Sequence, residues 1–191
     1  MAIEIKETFT VQAPVDAVWD FVLDPHKVAA CMPGATLEGV EDDETYLGSI
    51  KVKVGAVSAS YRGRVRITEI DEEGRTVRLL AEGTETGGGT AKGSMFSRLR
   101  ALPGGGTEVV AEASVDITGR VMQVGRGMVQ GVSHQLFLQF VSSTRERLEA
   151  PPGEAAAPPR GSNQAISIVP LVLRAFFAAL ARFLRRLLGR E

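Results

Sequence analysis

The chain has 191 residues, which suits one ordinary domain with a further segment left over. Charged residues make up 24% and hydrophobic residues 44%, a composition that builds a packed core. The balance of 22 basic against 23 acidic side chains excludes a broadly basic nucleic-acid binder. The charge is nevertheless uneven. Residues 1–150 carry 16 basic and 21 acidic side chains, and residues 151–191 carry 6 and 2. A mildly acidic body followed by a basic tail points to a tail that seeks an anionic surface.

In chain order, the first strand is marked by Ile3, Ile5, Phe9 and Val11, whose apolar side chains keep a period of two. The opening MAIEIKETF lacks a basic stretch leading into an apolar run, so no secretory signal and a cytoplasmic location are expected. Pro14 then suits the first position of a short helix, with Val15, Val18, Trp19 and Val22 along one face. Asp24-Pro25 ends this helix and starts a second, which stops at Pro33-Gly34. His26 reads as an exposed or capping residue. Cys31 is the only cysteine, so an intrachain disulfide and a multi-cysteine metal site are both excluded. It reads as a small semi-buried hydrophobe, with a reactive thiol as the second reading.

Alternating runs follow at Tyr46–Val54, Val57–Thr68, Val77–Gly83, Ala91–Arg100 and Val109–Thr118, separated by EDDE, DEEG, TGGG and PGGG turns. They predict an antiparallel sheet with one polar and one apolar face. Val121–Leu148 closes the body as a long amphipathic helix, with Val129, Val132, Leu136 and Phe140 at spacings of 3, 4 and 4. The predicted fold is α+β: a curved antiparallel sheet of about seven strands wrapped around a long C-terminal helix, with two short helices after the first strand.

The inward positions of this sheet are small. Ala59, Gly63, Ala81, Gly83, Ala91, Gly93, Ala111 and Ala113 stand where a packed core favours Leu, Ile or Phe. This pattern indicates an interior that holds a ligand, with Trp19, Tyr46, Tyr61, Met95, Met128, Val132 and Phe137 as walls beside Ala81 and Ala113. The competing reading is close sheet–helix packing with glycines at bends, the large residues being ordinary core. Catalytic chemistry is hard to find. His134, on the long helix, reads as a satisfied polar side chain; no metal-ligand spacing or nucleophile elbow occurs. Gly87–Gly89 and Gly104–Gly106 lie between strands and read as hairpin loops rather than phosphate cradles. No catalytic residue and no metal site is expected.

The segment FTVQAPVDAVWDFVLDPHKVAACMPGA resembles the N-terminal signature of the CoxG family of carbon monoxide dehydrogenase subunits, through Ala13-Pro14, Val18-Trp19, Asp24-Pro25 and Cys31-Met32-Pro33-Gly34. Tyr46-Leu47-Gly48, Gly55 with Tyr61-Arg62-Gly63, and Thr118-Gly119-Arg120-Val121 through Gly125 extend the resemblance over roughly residues 3–148. Gly55-Ala56 departs from the family's frequent Gly-Pro. The resemblance implies a START-like, helix-grip (SRPBCC) domain over residues 1–149. It also implies a non-catalytic accessory protein of an aerobic molybdenum carbon monoxide dehydrogenase or related molybdenum hydroxylase, linked to membrane attachment and respiratory electron transfer. The superfamily commonly encloses apolar ligands, and a respiratory quinone, or another lipid-like molecule, is the ligand this implies; no covalent cofactor and no nucleic acid are implied. A START-like enzyme acting on a hydrophobic substrate, or a recruitment scaffold with a filled interior, are the alternatives.

Residues 150–165 contain Pro151, Pro152, Pro158 and Pro159 among Gly and Ala, and read as a flexible linker reaching on the order of 45–60 Å if extended. Residues 166–191 then sort completely on a helical wheel. Leu173, Phe176, Phe177, Leu180, Phe183, Leu184, Leu187 and Leu188 share an arc of about 140°, with Arg174, Arg182, Arg185, Arg186 and Arg190 on the other side. This is the pattern of an amphipathic basic helix lying on an anionic membrane surface, at the inner face of the cell membrane for a cytoplasmic protein. Arg174 and Arg182 exclude a spanning helix, each costing ~2.5–3.5 kcal/mol at its centre. A helix that docks on the body or on a partner's groove is the competing reading.

Overall fold

The computed structural model describes residues 2–150. The expected linker beyond Ala150 and the expected helix at 166–191 lie outside the described residues. The body begins with β1 (Ala2–Val11), followed by the short helices α1 (Val15–Val22) and α2 (Pro25–Cys31). Six strands follow: β2 (Ala35–Val40), β3 (Thr45–Val54), β4 (Val57–Asp71), β5 (Thr76–Glu85), β6 (Thr90–Ala101) and β7 (Thr107–Ile117). A 3₁₀ turn (Arg120–Val124) leads into the long helix α3 (Arg126–Leu148).

All seven strands form one antiparallel sheet in the order β1-β7-β6-β5-β4-β3-β2. Consecutive strands from β2 to β7 pair through hairpins, and β1 returns to close against β7. The Gly87–Gly89 and Gly104–Gly106 loops join β5 to β6 and β6 to β7, as expected. Three details differ from the sequence expectation. Pro14 sits just before α1 as its N-cap, one place earlier than the expected first turn. Strand β2 lies outside the predicted runs, because its six residues put only Ala35, Leu37 and Gly39 inward, and its register against β3 shifts between Leu37 and Gly39. The closing helix is divided at Gly125, whose φ of 88° interrupts helical geometry between the 3₁₀ turn and α3. In α2, by contrast, Asp24 caps the helix by accepting from the His26 and Lys27 backbone N–H groups at 2.9 and 3.2 Å. Pro25 occupies the first turn, where its missing donor costs nothing.

The outer face of the sheet is charged. Arg64–Glu82, Lys6–Glu112 and Arg62–Glu38 pair at 2.7, 2.7 and 3.1 Å. These exposed pairs contribute about 0–1 kcal/mol each, so solubility and strand register are their main effect. The inner face carries the apolar phase and meets α3. Glycines cross it in a continuous line, since Gly48 pairs with Gly63 and Gly63 with Gly83. At Gly63 a Cβ would lie 1.9 Å from the Glu82 carbonyl oxygen, and at Gly48 2.7 Å from that of Thr36. The strands therefore pinch together on the inner face, and the line of glycines is the crease along which the sheet folds toward the helix.

This crease yields a contrast between neighbours. Gly63→Ala forces a methyl into backbone and should destabilise the body by ~1–3 kcal/mol in chemical denaturation. Gly83→Ala places its methyl at 3.4 Å from the nearest atom and should cost much less. Equal losses at the two positions would contradict the crease.

Candidate ligand-binding interior

Helix α3 is held along the edge strand β1. Arg126 Nη2 donates to the Ala2 carbonyl at 2.8 Å, and Arg145 Nε to the Thr10 carbonyl at 2.8 Å. His134 Nδ1 lies 2.7 Å from Glu7 Oε1. The Gln12 N–H donates to Glu149 Oε1 at 2.8 Å. Between these bonds the Phe9 and Phe137 rings meet edge-to-face at 5.6 Å. The helix thus runs beside β1 from one end of the strand to the other.

Two separate apolar clusters form at the ends of this arrangement. One gathers Val11, Ala13, Val18, Trp19, Val77, Leu99 and Val109. The other gathers Ile3, Val54, Ala59, Tyr61, Val121 and Val129, with Ile50, Val52, Val124 and Val132 packed against it. Between them, two rows of inner-face residues cross the sheet. Tyr46 pairs with Val65, Val65 with Ala81, and Ala81 with Gly93. Ile67 pairs with Leu79, Leu79 with Met95, and Met95 with Ala113. Ala81, Met95 and Ala113 are only half-buried, and Val65 is 37% exposed. Small side chains in the middle of the inner face, unfilled by the helix, leave apolar surface open between two closed ends.

The expected wall residues fall into three groups. Tyr46 and Ala81 lie in the first of the two rows that cross the inner face and Met95 and Ala113 in the second, with the Tyr46 hydroxyl donating to the Asp43 carbonyl at 3.1 Å. Tyr61 and Val132 belong to the second cluster, and Met128, 48% exposed, lies over Gly55 at the β3–β4 turn beside it. Trp19 is buried in the first cluster with the Arg75 guanidinium 5.3 Å from its ring, and Phe137 packs on Phe9. The structure does not gather all nine around one point.

The polar groups of the interior are few. His134 is occupied by Glu7, in keeping with a satisfied side chain. His26 is exposed and contributes its backbone N–H to the α2 cap. Burial pushes the Cys31 thiol above its ordinary pKa, against the attraction of Arg147, so it stays protonated as a buried apolar-like residue. No group of three or more potential metal ligands occurs among the described residues. No described helix is long and apolar enough to cross a membrane.

One acidic side chain of the interior is absent from the sequence expectation. Glu85 ends β5 with its side chain fully buried and one oxygen, Oε1, bound by Arg120 Nη2 at 2.6 Å. Its other oxygen, Oε2, and the buried Tyr61 hydroxyl have no hydrogen-bond partner among the described residues. Burial, reinforced by the Glu85 charge, raises the Tyr61 pKa, so the phenol keeps its proton. The signal is present in the alternation: Val77, Leu79, Ala81 and Gly83 put Glu85 in the inward phase.

The model of the family described as the CoxG subunit of carbon monoxide dehydrogenase matches residues 8–149. No curated protein matches the chain in sequence. Among solved structures, a conserved protein from Geobacillus kaustophilus is similar with a TM-score of 0.70 at 20% identity, covering 77% of this chain and 95% of that one. The Zhui aromatase/cyclase from Streptomyces sp. R1128 is similar at TM-score 0.58 and 18% identity, covering 80% and 99%. A START superfamily protein from Mycobacterium smegmatis is similar at TM-score 0.52 and 13% identity, covering 76% and 97%. At these identities the likeness is one of fold, and the fold is the START-like helix grip. With its family model spanning the body from β1 to the end of α3, the chain belongs to the CoxG family of carbon monoxide dehydrogenase subunits.

Proposed function

We propose that the protein is a non-catalytic accessory of a molybdenum-type carbon monoxide dehydrogenase or related hydroxylase, which carries an apolar ligand and couples the enzyme to the membrane. The observation that supports ligand carriage is the half-open strip of small inner-face residues between two closed apolar ends, beneath a helix tied to the sheet's edge. A strip of this kind suits a long, flat, apolar molecule. For an enzyme whose electrons leave in a lipid-soluble carrier, a respiratory quinone is the ligand of that description. The tail at 166–191 supplies the membrane contact, and the linker at 150–165 lets the body reach a docked enzyme while tethered.

Ligand carriage is tested by native mass spectrometry with lipid extraction of protein purified from its own host, expected to release a quinone or other lipid. Ala113→Phe and Ala81→Phe should then lower occupancy with little loss of stability, because each fills open volume. A cost of ~1–3 kcal/mol from both would mean that the interior is already full, and would return the scaffold reading.

Membrane coupling rests on the tail alone. Deleting residues 166–191 should leave the cooperative thermal transition of the body intact and abolish vesicle binding; loss of that transition would overturn the assignment. The 166–191 peptide should co-sediment more strongly with anionic than with neutral vesicles, each arginine adding about 1 kcal/mol near the surface. In high salt the apolar part survives, so Phe176, Leu180 and Leu184 changed to Ser should cost more binding than Arg185 and Arg186 changed to Gln.

A further inference from the structure

The second apolar cluster contains a donor and an acceptor that do not satisfy each other. Tyr61 and Glu85 are cross-strand partners on β4 and β5, so their side chains leave adjacent strands on the same inner face. Tyr61 is 8% exposed and Glu85 2%. Neither the Tyr61 hydroxyl nor Glu85 Oε2 has a hydrogen-bond partner among the described residues. Folded proteins pair the large majority of such atoms, because an unpaired buried group forfeits its hydration without return. Arg120 on the 3₁₀ turn already holds Glu85 Oε1, which neutralises the carboxylate but leaves Oε2 as an acceptor alone.

The chemistry of the pair selects its ligand. A carbonyl or ether oxygen satisfies the phenol and leaves Oε2 empty. A carboxylate meets the like charge of Glu85, and an ammonium accepts nothing from the phenol. A hydroxyl does both, accepting from one group and donating to the other. We propose that Tyr61 and Glu85 are the recognition point for a neutral hydroxyl on an apolar ligand, the ligand O–H donating to Glu85 Oε2 and its oxygen accepting from the Tyr61 hydroxyl. This rests on the reading above that the interior takes an apolar molecule. Both atoms lie beneath the surface, so binding requires the 3₁₀ turn that carries Arg120 and Val121 to yield; Gly119 and Gly125, at φ 89° and 88°, flank it. Of a quinone and its two-electron-reduced form, only the reduced form carries such a hydroxyl, and the interior holds that form more tightly.

The test titrates the full-length protein at neutral pH with 2-naphthol, 2-methoxynaphthalene and 2-naphthoate, read by calorimetry. The phenol should bind on the order of tenfold tighter than its methyl ether, since it alone completes both hydrogen bonds, and the carboxylate should bind least. Glu85→Gln should shrink the phenol-to-ether ratio severalfold, whereas Tyr61→Phe, which removes the donor that either oxygen would use, should weaken phenol and ether binding together. Tyr61→Phe should also keep the melting temperature of the parent, because its hydroxyl makes no bond in the fold. Equal affinities for phenol and ether, tightest binding of the carboxylate, an unchanged ratio in Glu85→Gln, or unchanged phenol binding in Tyr61→Phe would overturn the recognition point while leaving the apolar ligand in place. Binding of none of the three would remove both.

Discussion

Everything distinctive in this fold follows from where α3 is fastened. Four polar links, from Arg126, His134, Arg145 and Glu149 to β1 and the residue after it, tie the helix along one edge of the sheet rather than across its middle. A helix centred on the sheet would cover the inner faces of β4, β5 and β6 and complete one continuous core. Fastened to the edge, it leaves two cores, one around Trp19 and one around Val121 and Val129, with a strip of Ala and Gly between them. The two ends close independently, so the strip is free to hold something other than side chains.

The two ends are chemically unlike. The first is closed by an aromatic ring under a guanidinium, Trp19 under Arg75, which also pairs with Asp16, and its buried polar groups include the Thr107 hydroxyl, which donates to the Ala13 carbonyl. The second encloses a phenol and a carboxylate within aliphatic walls. A molecule lying along the strip meets a different environment at each end, so the interior has a direction. The crease at Gly48, Gly63 and Gly83 shapes that interior through the backbone.

Most of this architecture was legible in the sequence because the strands are long and their apolar phase is strict, as in Val57–Ile67 and Val109–Ile117. Strand β2 escaped because its inward set, Ala35, Leu37 and Gly39, holds a single large apolar side chain and carries too little signal. The break at Gly125 escaped because the helical spacing of Val121, Val124, Met128 and Val132 continues through it, and periodicity does not register a backbone angle. The small inward residues carried two meanings that sequence could not separate. Gly63 is demanded by strand approach, whereas Ala81 and Ala113 line open surface. Glu85 was hidden by its company. Beside Thr86 and three glycines it looks like a turn residue, and only the pairing of β4 with β5 brings it to Tyr61.

The bulge in β2 also bears on how molecules of this protein meet one another. An open sheet has two edges, and a straight exposed edge invites another strand to add to it. Beside β1 the helix α3 takes up much of the space an incoming strand would need. At β2 the Leu37–Gly39 irregularity puts the hydrogen-bonding groups out of step, Glu38 is tied to Arg62, and Glu41, Asp42, Asp43 and Glu44 follow at once. A second copy approaching edge to edge meets a broken ladder and a run of like charge. Edge-to-edge addition of a second copy at β2 therefore finds no continuous ladder on which to extend the sheet.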